Sequence, residues 1–418
     1  MIVEFGYGQG TQNVDIPDEN LQEILMSNPL EHERTGPDAV EYALDNPIGS
    51  DKLENIVKPG QKIAIITSDI SRPIPSFDVI PSILKRLFKA GCRAEDIKVV
   101  FALGSHRHHT EDEKKHLVGD WVYEQVECVD SEPEDCIHMG DTSRGTPVDI
   151  TRSVAEADFR IGVGNIEFHY FAGYSGGAKA LMPGVSTPDA IQSNHRMMVD
   201  ENACAGKLAG NPVRADIEES ETFCHLGFIV NVVLDEHKHI VYGVAGDVTE
   251  AHRVGCAYLD KMYRKPIKDR ADIVIVSQGG APKDANLYQT QKALDNSKHA
   301  VKDGGTIILI GACNEGLGSK VFEEWLTSAP TAESLITRVN EHFQLGGHKA
   351  AAIAMVLQHA KICLVSEMDN DFVRSIFLEP VHSAQEAFDE AMSRYGKEAS
   401  VICMPFGGAT LPMPPENA

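Results

Sequence analysis

The segment 166–184, IEFHYFAGYSGGAKALMPG, sets His169 ten residues ahead of Lys179, with Ser175, Gly176 and Gly177 between them. A lysine amine attacks carbonyl or acyl carbons and so can become a covalent attachment point; pyridoxal phosphate is one group it could carry. A nearby histidine can serve as acid or base, because its unperturbed pKa lies close to neutrality. Paired glycines let a backbone approach a ligand, and exposed N–H groups can cradle a phosphate. The spacing is not GxxxxGK[ST], so this is no P-loop. The same residues would also make a tight loop ahead of a helix.

Three other motifs carry chemistry. SDISRP (68–73) offers Asp69 and Arg72. Arg72 can fork onto a carboxylate; an ordinary Asp–Arg surface pair is the plainer reading. GSHRHHT (104–110) brings His106, His108 and His109 together. On extended backbone His106 and His108 share a face and could bind one metal. We prefer a polar loop with His106 alone facing a cleft and Thr110 capping a helix that begins EDEKKH. NLYQTQK (286–292) puts Gln289 and Lys292 three apart, on one face of a helix; a polar helix start is the plainer reading. Together Arg72, Gln289 and Lys292 would form a carboxylate clamp donated from two domains. Among seventeen histidines, His106, His169 and His195 stand out by their glycine-rich or densely polar surroundings, and most others read as surface or satisfied core residues.

These motifs need elements to hold them. Apolar runs at 62–69, 97–105, 159–166, 272–280, 305–313, 361–368 and 400–408 are short, rich in Ile and Val, and bounded by Gly, Ser or Asp. They read as buried strands. VIPSILKRLFKAG and AESLITRVNEHFQLG have helical periodicity and end in Gly. The alternation predicts an α/β protein: mainly parallel sheets flanked by helices. Residues 227–247 read instead as an antiparallel hairpin around 235–238. A connector at 265–269 predicts two domains, 1–268 for cofactor binding and catalysis and 269–418 as a C-terminal α/β domain. The Pro-rich last ~15 residues are expected to pack back on the first domain. The polar motifs follow strands, and in open parallel sheets ligands sit beyond the strands' carboxyl ends. The expected active site is a cleft between the domains.

Composition narrows the class. A formal net charge of −24 argues against nucleic-acid binding and against an anionic membrane surface. Nine scattered cysteines, an odd number without CxxC spacing, argue against a disulfide framework or a thiolate metal site. The N-terminus does not read as a signal peptide, and no apolar run is long enough to span a bilayer. A reducing cytoplasm is the expected location; oligomeric state is open.

SDISRP, GSHR with Thr110, HYFAGYSGGAK, NHR (194–196) and GGAPKDANLYQTQK, five motifs in order over residues 68–292, together resemble the nickel-dependent lactate racemase family. The resemblance implies a racemase or epimerase of lactate or a related 2-hydroxy acid. It implies a nickel pincer nucleotide, a pyridinium mononucleotide with thioamide and thiocarboxylate arms, joined covalently to Lys179. His195 would supply a nickel ligand, a reasonable partner for soft donors in a planar site. Ser175, Gly176, Gly177 and Asp69 would serve the cofactor, with Asp69 also able to orient Arg72 or His106. His106 and His169 would be the two acid–base residues, on either side of a transient 2-oxo acid, while the α-hydride moves to and from the cofactor. Arg72, Gln289 and Lys292 would hold the substrate carboxylate, and Phe171 and Tyr288 would flank a short chain. Cofactor-assembly proteins are implied as partners for loading. Two other readings stay open: a pyridoxal-phosphate enzyme using Lys179, and a non-catalytic nickel- or cofactor-binding protein.

Overall fold

The computed structural model describes residues 1–415. All seven apolar runs form strands: Ile63–Ser68, Ile97–Ala102, Phe159–Ile166, Ala271–Ser277, Val301–Ile310, Lys361–Val365 and Val401–Met404. The two periodic segments form the helices Ser76–Lys89 and Ala332–Glu341. Among the described residues, no helix is long and apolar enough to cross a membrane.

The chain divides into two compact units, and one is Leu30–Lys261. Its six-stranded sheet runs Ile240–Gly246, Phe228–Leu234, Phe159–Ile166, Ile63–Ser68, Ile97–Ala102, Glu127–Asp130. The last five are mutually parallel; the first pairs antiparallel with its neighbour, as the expected hairpin. The helix Ser76–Lys89 presents Val79, Ile80, Ile83, Leu84 and Leu87 to the sheet, where they join Ile63, Ile65, Val99 and Phe101 in one core. The five helix side chains, all fully buried, contribute on the order of 1.5–3 kcal/mol each relative to exposure. From Ile63–Ser68 the chain steps outward through Ile97–Ala102 to Glu127–Asp130, then returns to the opposite flank as Phe159–Ile166. The order therefore reverses beside Ile63–Ser68. A reversal of this kind opens a crevice at the carboxyl ends of the two strands.

The other unit is Met1–Pro29 with the residues from Met262 onward. Its sheet, Glu379–Val381, Lys361–Val365, Val301–Ile310, Ala271–Ser277, Val401–Met404, Leu21–Ile24, is parallel throughout. Here the structure corrects the expected division at 268. The first 29 residues belong with the C-terminal part, because Leu21–Ile24 completes the edge of that sheet. The Val401 N–H donates to the Asn20 carbonyl at 2.9 Å and the Leu25 N–H to Cys403 at 2.8 Å. The hairpin Ile2–Tyr7/Gly10–Asp15 adds Val3, Phe5 and Val14 to the core of Ile273, Ile275 and Ile308. The C-terminal segment packs back as Leu411–Met413 on Arg264–Pro266, residues inside the expected first domain that the structure assigns to the unit from Met262 onward. The last three residues of the expected tail lie outside the described residues.

Candidate active site

Three of the motifs occupy neighbouring strand ends of the unit Leu30–Lys261. SDISRP leaves Ile63–Ser68, GSHRHHT leaves Ile97–Ala102, and EFHYFAGYSGGAK leaves Phe159–Ile166. The point where the sheet order reverses lies between the first and third of these loops.

Asp69 is buried, and its carboxylate is shared between two partners. Oδ2 accepts from His106 Nδ1 at 2.7 Å and Oδ1 from the Ser71 hydroxyl at 2.9 Å. An ionised carboxylate only accepts, so the His106 ring carries its proton on Nδ1 and leaves Nε2 basic. Burial pushes the Asp69 carboxyl up, but the His106 and Ser71 bonds and the Arg72 charge outweigh it and hold it below the usual range. Both carboxylate oxygens of Asp69 are thus engaged within the protein, and of the two residues it was expected to be able to orient, His106 is the one it bonds. Arg72 lies on the same turn and is exposed.

His169 is set the other way. The Ala172 N–H donates to its Nδ1 at 3.2 Å, so the neutral ring carries its proton on Nε2. That Nε2 is 3.5 Å from Lys179 Nζ. The Phe171 ring stands edge-on between His169 and His195, with centroids 4.5 and 4.8 Å away. His195 closes the helix Pro188–His195. Asn194 spends its amide N–H groups on the Val213 carbonyl (3.2 Å) and Asp216 (2.8 Å), so its oxygen must accept from His195 Nδ1, 2.9 Å away. His195 Nε2 is then the unprotonated nitrogen. A histidine whose other nitrogen is tied in this way is oriented as a metal ligand.

The segment 171–176 is held largely through its carbonyls. Asn211 donates to Phe171 (2.8 Å), and Arg214 donates to Ala172 (3.2 Å), Tyr174 and Gly176 (3.5 Å). His252 Nε2 donates to the Ser175 carbonyl at 2.8 Å, while its Nδ1 accepts from Arg253. Gly176 and Gly177 have φ of 77° and 61°. A Cβ at Gly176 would come within 2.7 Å of Asn231 Oδ1, so only glycine fits. The Ser175 N–H donates to the Glu167 carbonyl (2.9 Å) and the Gly177 N–H to Asn231 Oδ1 (2.8 Å). The Ser175 and Gly177 N–H groups are therefore engaged within the protein, where they shape the loop that presents Lys179. Sequence reading missed Asn211, Arg214 and Asn231; they lie outside the motifs, and nothing in their local spacing marks them.

Electrostatics follow from this packing. Burial, then the charges of Arg214 and Arg72, holds the Lys179 ammonium well below its ordinary range, with Glu167 opposing. Burial, then the neighbouring cations, does the same to His169. His169 is therefore neutral at pH 7, and Lys179 gives up its proton more readily than an ordinary lysine. A neutral lysine amine is a nucleophile, and the His195 imidazole is a borderline donor suited to nickel. These residues fit a covalently tethered, nickel-bearing group. Arg214 is fully buried and itself lowered to about 10, chiefly by burial.

The remaining candidates resolve as follows. His108 turns to Asp130 (3.4 Å) and Glu132 (3.7 Å) and so does not pair with His106. Among the described residues, no three His, Cys, Asp or Glu side chains gather as a metal site. Thr110 caps the helix Glu111–Val118 with a reciprocal Glu113 contact, as expected. Gln289 and Lys292 belong to the other unit, in the first two turns of the helix Leu287–Ser297. There Lys349 donates to the Tyr288 carbonyl at 2.6 Å and lies 4.0 Å from the Tyr288 ring centre.

Comparison with known proteins identifies the pattern. The family models for the lactate racemase N-terminal and C-terminal domains match residues 7–206 and 267–411. The lactate racemase of Lactiplantibacillus plantarum is 32% identical over 417 residues, 97% of this chain and 98% of that one. That of Thermoanaerobacterium thermosaccharolyticum is 31% identical over 97% of both chains. The lactate racemase apoprotein structure from the latter organism superposes with a TM-score of 0.90 at 30% identity, covering 99% of this chain and 100% of that one. A Thermotoga maritima protein shares the fold, with a TM-score of 0.66 at 17% identity over 93% of this chain and all of its own.

Proposed function

The chain belongs to the lactate racemase family and is a racemase, and from that premise we propose that it interconverts the enantiomers of lactate or a closely related 2-hydroxy acid. The observation that carries this reading is a pair of histidines at strand ends on either side of Ile63–Ser68, each with its Nδ1 tied by a hydrogen bond. His106 has a basic Nε2 because its Nδ1–H is given to Asp69. His169 has a protonated Nε2 because its Nδ1 accepts a backbone N–H. Inverting a carbinol carbon needs one group to take the hydroxyl proton and another to return it from the opposite side. His106 and His169 are assigned these two roles, which exchange in the reverse direction; the ring that takes the proton becomes the imidazolium, and the ring that returns one does so as the imidazolium and reverts to neutral imidazole. Arg72, Gln289 and Lys292 are assigned to the substrate carboxylate, with Arg72 as the planar fork. Phe171 and Tyr288 favour a short aliphatic chain.

Lys179 and His195 are the residues that would hold a nickel pincer nucleotide, the first through its amine and the second through Nε2. When bound, that group supplies reversible acceptance of the substrate's α-hydride, through a 2-oxo acid. Loading would require cofactor-assembly proteins. All nine cysteines are free thiols, which supports a cytoplasmic setting.

The test is intact mass and nickel analysis of protein made with the assembly enzymes, followed by chiral analysis of lactate. A covalent adduct on Lys179, about one nickel per chain and racemisation are expected. An unmodified mass with no nickel would overturn the cofactor assignment, and borohydride trapping at Lys179 would favour pyridoxal phosphate.

A further inference from the structure

His109, unlike His106, has no direct place in the proposed proton transfer. Its side chain is only 1% exposed. Nδ1 donates to Asp130 Oδ1 at 2.6 Å, and Asp130 Oδ2 accepts the His109 backbone N–H at 2.9 Å. Nε2 accepts the Ile70 N–H at 3.0 Å. One partner can only accept and the other can only donate, so the neutral ring with its proton on Nδ1 satisfies both. The Phe101 ring lies edge-on, 5.2 Å away.

Ile70 sits between Asp69 and Ser71 in a turn closed by the Arg72 N–H on the Asp69 carbonyl at 3.1 Å. The turn has little packing of its own. Ile70 is 41% exposed, and Ser71 and Arg72 are exposed. An exposed turn with few apolar contacts opens easily. What ties it to the core is the bond from Ile70 to a buried ring, itself tied to the end of the strand Glu127–Asp130. An apolar side chain could fill the same space but could not make that bond.

We propose that His109 is a positioning residue: clamped by Asp130, it fixes the Asp69–Arg72 turn and so sets the Asp69 carboxylate against His106. The proposal rests on the reading of His106 as a proton-transfer residue. It also explains the adjacent histidines of GSHRHHT, of which one faces the reaction and another holds the loop that orients it.

The test compares His109→Gln with His109→Asn in the full chain. A glutamine amide reaches the position of Nε2 and can still accept from Ile70; an asparagine amide reaches only Nδ1 and cannot. Two readouts are taken: amide exchange of the Ile70 segment in cofactor-free protein, and kcat and KM for racemisation in loaded protein. For His109→Asn, exchange at least tenfold faster and kcat at least tenfold lower with KM little changed are expected. His109→Gln should keep both within about threefold. In an Asp69→Asn background, His109→Asn should cost little more, because both act through one carboxylate.

A folded His109→Asn protein with normal exchange and turnover overturns the proposal. So do equal losses in both variants that follow melting temperature, or failure of both to fold, since either assigns His109 to general stability. Wild-type protein that loads but racemises nothing overturns the functional reading instead, and the exchange result then decides the clamp alone.

Discussion

The two proposed acid–base histidines occupy unlike surroundings. The His106 side chain is 34% exposed, on a loop at a strand end, and answers to a carboxylate. His169 is half-buried in the loop that carries Lys179, beside Phe171 and near Arg72 and Arg214, and answers to a backbone N–H. One environment leaves Nε2 basic and the other leaves it protonated. A reaction that is symmetric in its chemistry is thus matched with an asymmetric site, in which position and local charge set the resting proton of each partner.

That contrast can be broken most directly by removing either ring. His106→Asn and His169→Asn should each slow racemisation by roughly 10²–10⁴-fold, with Lys179 still modified. Single-turnover oxidation should then show opposite preferences, each variant failing with a different enantiomer. Identical behaviour towards both enantiomers would end the complementary assignment. Next in size, Asp69→Asn removes a charged hydrogen bond of about 1.5–3 kcal/mol, so kcat should fall by about 10–10²-fold. The loss should follow the enantiomer served by His106. Arg72→Ala sharpens the comparison from the other side. The carboxylate is common to both enantiomers, so both directions should weaken alike, mainly through KM and by about tenfold for a partly exposed contact.

Smaller effects come from the charges around the buried pair. Burial is the main cause of the lowered Lys179 ammonium, and Arg214 the next. Arg214→Gln in cofactor-free protein should therefore shift amine acylation at Lys179 to higher pH, read by peptide mass spectrometry. An unshifted profile would remove Arg214 from the electrostatics. For His169, the folded state holds the imidazole below its ordinary 6.5. The unfolded chain binds the proton more readily, so the stability from this group is complete above pH 6.5 and is lost as pH falls below it. His169→Asn should flatten the acid side of the melting-temperature profile.

Much of this was legible because apolar runs and glycine stops report local geometry. The strand Phe159–Ile166 and the helix Ser76–Lys89 were readable from period alone, and Thr110 from its capping partner three residues on. The edge strand Leu21–Ile24 was not. It is only four residues long and half-buried, and its partner lies at the far end of the sequence. The scaffold of the Lys179 loop was hidden for the same reason. Asn211, Arg214, Asn231 and His252 act on backbone carbonyls and N–H groups far away in sequence, and such partners leave no spacing to read. Asp69 was noticed with Arg72 or His106 as the residue it could orient, and His106 was singled out only once the two strand ends were side by side.

The pairing of Leu21–Ile24 with Val401–Met404 has a consequence for how the protein is made. A ribosome releases the edge strand long before its partner. During synthesis the unit Leu30–Lys261 has its whole sequence in hand and can fold, while the opening hairpin and strand wait with unsatisfied edges. The entropy of closing so long a loop grows only logarithmically with its length, so the delay is chiefly one of timing. Through that interval an apolar N-terminal segment stands exposed to other chains, and truncation near the C-terminus would strand it there.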